Sequence, residues 1–365
     1  MGVDVSNGYG QYMQMSCQLQ VDNGSALRVS NGGVLNIVGD GADDYFNYTS
    51  TTYAGNSADT VFIDHGASGF IADHVVLSAY KGNVINNRAE TSNISLNRAR
   101  LEINGGNAIR SATSFDPTGS AYIGVSEGVG YLFENEDGST TSNDLLIGPN
   151  YYFFITGSNS TGVRANTTGR VINEGTLAVY NVDGMTGGSA IVTSTASEVI
   201  NRGGIVSLST VSPIIDLRGG QTVFINEGNI SAPFPETVIV AGGASNDQFA
   251  LLSGSVVGDV NTGNGNDTLQ LSGGTIDGSL TMGSGNNQTL VENVSLANTR
   301  HITTDNGAGS TLSFNDINAR GASLAADDLS KGTNLGGGWS TINFYNTQWT
   351  LTDNLKLAHS TINID

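Results

Sequence analysis

The sequence predicts an all-β fold, a right-handed, three-faced parallel β-helix with loops extruded from the coil. Three observations predict it. From Gly242 to His301 the chain repeats itself three times: Asn246, Asn266 and Asn286 share one position, and Asp247, Asp267 and Asn287 share the next. A sustained period of about 20 residues, built from short apolar alternations and Gly/Asn corners, marks a coil repeated along an axis. From residue 162 onward each repeat holds three short apolar runs. Val163-Arg164-Ala165, Val171-Ile172-Asn173 and Thr176-Leu177-Ala178-Val179 are answered by Ala190-Ile191-Val192, Val199-Ile200-Asn201 and Gly204-Ile205-Val206. The third observation is that strands this short and this close leave no room for helices between them, which excludes βαβ folds. Parallel crossovers are almost always right-handed, which sets the expected hand.

Taken in order, the chain opens with three alternating runs between Val3 and Val38, separated by Asn23-Gly24 and Asn31-Gly32-Gly33. Asn-Gly is a strong turn signal, so these make one plausible rung. Residues 40–59, rich in aromatics and acids, read as an extruded loop. Rungs resume at Val61-Phe62-Ile63, Val84-Ile85-Asn86, Ala108-Ile109-Arg110 and Tyr131-Leu132-Phe133. The Gly/Ser/Thr/Asp-rich stretches 111–128 and 134–150 read as two further loops. Roughly 14 rungs are expected at the ~4.8 Å spacing of paired strands, and 339–365 form the terminal ones. All of 1–365 is expected to be a single β-helix domain.

Asn173, Asn201 and Asn226 each end an apolar pair and precede a Gly-containing corner. An Asn there is expected to take a left-handed backbone and to hydrogen-bond its counterpart one rung away.

Composition narrows function. The 365 residues include 50 Gly but only 5 Pro, and the net charge is -19. That field repels nucleic acid and anionic membrane surfaces, so neither is an expected partner. Cys17 is the only cysteine, which leaves no disulfide framework. Met1-Gly2-Val3-Asp4 is no signal peptide and no apolar run is long enough to span a membrane, so an export signal is expected outside this chain.

No catalytic constellation stands out. The acidic pairs Asp43-Asp44 and Asp327-Asp328 each put one carboxyl on either face of a strand, whereas glycoside hydrolysis needs two facing one cleft. His65, His74, His301 and His359 keep no fixed spacing. The run Gly263-Asn264-Gly265-Asn266-Asp267-Thr268-Leu269 looks like a calcium-binding nonapeptide, but its period is more than twice as long and Asn287 replaces the acid in the third copy. No metal and no cofactor are expected, and no enzymatic activity.

Charge distribution is more informative. Lys81, Arg88, Arg98, Arg100 and Arg110 lie within 30 positions, close in sequence to the aromatic segment Tyr45-Phe46-Asn47-Tyr48. Alternation buries Ala99, Leu101 and Ile103 and turns Arg98, Arg100 and Glu102 outward as a row. These residues, with Tyr45 and Tyr48, are the expected ligand site: Arg forks onto anionic groups and Tyr rings stack on sugar faces. The plainer reading is a solvated face of cross-rung ion pairs.

The Gly-Asn-Asp-Thr-Leu and Val-Ile-Asn-x-Gly repeats, with almost no cysteine, resemble the passenger domain of type V autotransporters, closest to adhesin passengers of the AIDA type from Gram-negative bacteria. The resemblance covers most of the chain and is clearest from 162 to 320. It implies export through a C-terminal outer-membrane barrel absent from these residues, and display at the cell surface or secretion. The segment Gly-Asp-Ser-Gly of the protease-bearing passengers is absent. The expected function is therefore a non-enzymatic adhesin, a virulence factor that binds host glycosaminoglycan or a matrix glycoprotein such as fibronectin. The alternatives are self-association leading to bacterial aggregation and biofilm, and a polysaccharide-cleaving β-helix enzyme.

Overall fold

A computed structural model of the chain describes residues 2–13, 18–40, 51–55, 57–90, 93–180, 188–193, 195–209, 213–305, 309–321, 335, 338–351 and 360–365. Among the described residues the fold is a parallel β-solenoid with no helix, about 60% strand and about 13 turns, where the sequence suggested roughly 14. It divides into two compact units, Met1–Val192 and Thr193–Asp365.

In the first unit three faces repeat. Val3–Ser6, Leu27–Ser30, Val61–Ile63 and Asn83–Asn87 stack in register on one. Gln18–Val21, Thr51–Ala54 and Val76–Tyr80 stack on the second. Tyr9–Met13, Val34–Val38, Gly69–Asp73 and Asn93–Asn97 stack on the third. The strands Ala99–Ser111 and Ala121–Phe133 each run round a corner. The first half of Ala99–Ser111 pairs with Val76–Tyr80 and its second half with Asn83–Asn87. The corner falls where the register between these two long strands shifts, from Ile103 to Gly106. Here only glycine fits: Gly128 has φ 104°, and a Cβ on it would lie 2.1 Å from the carbonyl oxygen of Gly106.

Along most of the described strands alternate residues point inward. Val29, Ile63, Leu101 and Ile109 are fully buried, and so are Phe133 and Phe153. Each turn therefore covers the apolar face of the next, which is how a solenoid builds a core from units too short to have one alone.

The second unit repeats the same logic. Phe224, Phe249, Leu269, Thr289, Leu312, Ile342 and Ile362 occupy one inward column through successive parallel pairings. The rings of Phe224 and Phe249 sit 5.5 Å apart. The chain between Leu312 and Ile342 is half as long again as that between Leu269 and Thr289, yet the column keeps register. Trp339 is buried, with its indole N–H donating to the carbonyls of Ile302 and Leu335 at 3.1 and 2.8 Å. Arg300 clamps this unit from outside. It donates to the carbonyl of Pro235 and to the carboxylates of Glu236 and Asp259 at 2.6 to 2.8 Å.

The loops are shorter than the sequence suggested. Residues 121–128 of the expected 111–128 loop are the first part of Ala121–Phe133. Leu145–Ile147 is a strand within 134–150, and Thr51–Ala54 is one within 40–59. Apolar alternation in these stretches is hidden by small and aromatic residues, because Gly and Tyr also pack on a pleated surface. Among the terminal rungs Thr341–Tyr345, Gln348–Leu351 and Thr361–Ile364 are strands.

Asn173, Asn201 and Asn226 are strand residues rather than left-handed corners. They are fully buried, and Asn201 donates to Asn226 at 2.8 Å while Asn226 closes its own corner on the carbonyl of Gly228 at 2.9 Å. The left-handed corners are elsewhere, and two of them are Lys81 and Arg98, with φ 61° and 50°.

Candidate functional site

The five basic residues of the expected site do not form one patch. Arg98 occupies a corner, so the anticipated row of Arg98, Arg100 and Glu102 breaks at its first member. The backbone N–H of Arg98 donates to Ser120 Oγ at 2.8 Å and its guanidinium approaches His74 Nε2 at 3.5 Å. Lys81, also at a corner, places its ammonium 5.1 Å from the ring centre of Tyr80. Arg88 and Arg110 do come together. Arg88 binds the Glu136 carboxylate at 2.6 Å, and Arg110 binds the Glu134 carboxylate at 2.9 Å and the Glu136 carbonyl at 2.8 Å. His65 reaches the same Glu136 at 2.8 Å. Arg88 also stands 4.8 Å over the ring of Phe62. This network borders a polar groove of about 1020 Å³ lined by hydroxyls, amides and the acids Glu90, Glu136 and Asp137. Its cations already carry carboxylate partners. Tyr45, Phe46 and Tyr48 lie outside the described residues, as do Cys17, Asp43, Asp44, Asp327, Asp328 and His359.

Arg100 stands apart from that network, on another face of the first unit. Its Nε donates to Glu102 Oε1 at 2.7 Å, and its guanidinium lies 5.5 Å over the ring centre of Tyr122. Strand register builds what surrounds it. Arg100, Tyr122 and Tyr152 occupy one outward column, and Tyr53, Ser78, Glu102, Gly124 and Phe154 the next. The rings of Tyr122 and Tyr152 are 5.8 Å apart and nearly parallel, at 14°. Phe154 lies 6.1 Å from Tyr122 and 4.6 Å from Tyr180, and the hydroxyls of Tyr152 and Tyr180 are 3.5 Å apart. Burial pushes the Tyr122 and Tyr152 hydroxyls above the ordinary tyrosine value, so both remain protonated donors. A groove of about 510 Å³ runs over this face, bounded by Tyr53, Tyr80, Arg100, Glu102, Tyr122 and Phe154.

No protein-family model, no curated protein and no solved structure matches this chain.

Tyr122 is only 9% exposed, packed between Arg100 and Tyr152, while Tyr152, Phe154 and Tyr180 are half-buried and leave apolar area in solvent beside a guanidinium and a carboxylate. Such a surface stacks on flat apolar faces and hydrogen-bonds the hydroxyls around them. Nothing in the sequence marks Tyr122, Tyr152, Phe154 and Tyr180 as a group. Their spacings along the chain follow no single period, and only the register brings them together.

Among the described residues no group of three or more His, Cys, Asp or Glu is placed to hold a metal ion. The calcium-like run explains itself otherwise. Asp247 accepts the backbone N–H groups of Thr222 and Gly243 at 2.9 and 3.2 Å, and Asp267 accepts the N–H of Asp247 and the hydroxyl of Thr262 at 2.8 and 2.6 Å. Each carboxylate oxygen already serves a donor inside the fold.

Proposed function

We propose that this chain is the passenger of an AIDA-type autotransporter adhesin, displayed at a Gram-negative cell surface, that holds host matrix carbohydrate without cleaving it. The observation that carries the binding half is the outward aromatic face of Tyr122, Tyr152, Phe154 and Tyr180, with Arg100 and Glu102 at its edge. The solenoid fold and the repeat sequence support the passenger half. A stacked, rigid face suits a molecule that must hold a ligand on the outside of a cell, because rings fixed by their neighbours lose little entropy on binding.

The test is binding of the purified chain to immobilised heparin, chondroitin sulfate, fibronectin and neutral glycans over a salt series. Tyr152→Ala and Arg98→Ala/Arg100→Ala variants run alongside. Glycan binding weakened by Tyr152→Ala is the expected outcome. Binding unaffected by Tyr152→Ala removes the site, and release of reducing ends removes the non-enzymatic part of the proposal.

A further inference from the structure

We propose that the ligand of this face is an uncharged polysaccharide in extended form, laid across the strands so that successive sugar rings meet successive turns, with one ring seated over Gly124. The proposal rests on the reading of the face as a glycan site and adds the ligand's charge, direction and length.

Direction comes from where the rings arise. Tyr53 belongs to Thr51–Ala54, Tyr80 to Val76–Tyr80, Tyr122 to Ala121–Phe133, Tyr152 and Phe154 to Tyr151–Ile155, and Tyr180 follows Thr176–Val179. No single strand carries more than two of them. The aromatic surface therefore runs perpendicular to the strands, over five steps of roughly 4.8 Å, or about 24 Å. A ligand that uses all of it must be long, extended and repetitive at close to the spacing of the turns. A chain of pyranose rings has those properties, and a compact ligand does not.

The seat comes from Gly124. It stands in register between Glu102 and Phe154, in a column whose other members carry side chains. A Cβ added there would make only ordinary contact, 3.4 Å from Tyr122 Cε1 and 3.7 Å from Glu102 Cγ. The missing side chain leaves a notch with the Tyr122 ring as one wall and the Arg100–Glu102 pair as the other. A sugar hydroxyl both donates and accepts, so it can use the carboxylate and the guanidinium together.

Charge comes from that pair and from the whole chain. A sulfate or uronate must compete with Glu102 for Arg100, inside the field of a molecule of net charge -19. An uncharged chain meets neither obstacle.

The experiment is equilibrium binding of the full chain to dimers and hexamers of β-linked glucose, galactose and N-acetylglucosamine, with a heparin hexamer as the charged probe. One neutral hexamer is expected to bind at least ~10-fold tighter than its dimer, since each further stacked ring adds a contact. Its affinity is expected to be flat in salt. Gly124→Leu fills the notch and abolishes the binding while keeping the strand spectrum, and Tyr152→Ala weakens the hexamer by roughly tenfold and the dimer less. Equal dimer and hexamer affinities, or heparin binding tightest and fading with salt, overturn this inference. If Tyr152→Ala still weakens that binding, the glycan site itself stands. Binding to none of the probes overturns both readings.

Discussion

The side-chain oxygen of Asn287 accepts the backbone N–H of Asp267 at 2.9 Å, just as the carboxylate of Asp267 accepts that of Asp247 at 2.8 Å. Asn287 thus does, uncharged, the work that Asp267 does one turn away. Its amide donates to the Gly283 carbonyl and to Thr304 Oγ1, both at 2.7 Å. The amide shows the contacts open to a neutral side chain at the Asp267 position, where Gly263 and Thr262 stand nearby in the chain.

That comparison sets a pH dependence. Burial pushes the Asp247 and Asp267 carboxyls above the ordinary Asp value of 3.8, only partly opposed by the N–H and hydroxyl donors, and Asp267 also raises Asp247 by its charge. The folded unit then keeps protons that the unfolded chain has released. The stability these groups contribute is complete below 3.8 and is lost as pH rises through the raised folded values. Asp267→Asn should melt higher than the wild type at neutral pH, with the difference closing as pH falls below the ordinary Asp value. Thermal melts of both proteins across pH check it, and a constant gap would show that Asp267 ionises without cost.

Gly124 and Gly128 lie in the same strand, and alanine should separate them. At Gly128 a Cβ meets the Gly106 carbonyl oxygen at 2.1 Å in a left-handed backbone, so the turn must shift. At Gly124 the nearest atom is a ring carbon at 3.4 Å. Gly128→Ala should destabilise by about 2 kcal/mol or more, and Gly124→Ala by no more than about 0.5 kcal/mol. Denaturant midpoints at matched slope decide between them.

Arg300 is 15% exposed and bonds one carbonyl and two carboxylates. Arg300→Ala takes the guanidinium from the partly covered Asp259, which keeps the Ser279 N–H, and should cost about 2 kcal/mol. Local hydrogen exchange near Pro235 and Asp259 should rise before the rest of the unit. Uniform protection would argue that the clamp adds nothing.

Phe249 fills an inward column against Phe224 and is 2% exposed. Phe249→Ala should cost roughly 3–5 kcal/mol, because stacked turns cannot collapse into the void. Guanidinium unfolding of the variant measures it, and a loss under ~1 kcal/mol would mean that the column repacks.

The fold was legible where the pattern depended on burial alone. The repeat read through Asp247, Asp267 and Asn287 is the observed register, and two positions further on it sets Phe249 against Leu269. Ala99, Leu101 and Ile103 are buried as their alternation required. The binding face was not legible, for two physical reasons. Outward residues answer to no core, so nothing periodic marks Tyr122, Tyr152 or Phe154. The Gly-rich stretch before Tyr131 read as loop, although Gly128 is there to let two strands turn a corner at close approach. Likewise the cluster of basic residues was visible as composition, but the Glu134 and Glu136 side chains that neutralise Arg110 and Arg88 come from well further along the chain.

Leu269 meets Thr289 after a short stretch of chain and Leu312 meets Ile342 after a longer one, in one unbroken column. Chain length between turns is thus decoupled from alignment within them. A longer turn leaves the inward column in register and also buries residues of its own, Leu335 and Trp339, so the outer surface is free to diversify by insertion and deletion while the column stays the same. In a molecule of this build, the outer face is the part that can be rewritten, one corner at a time.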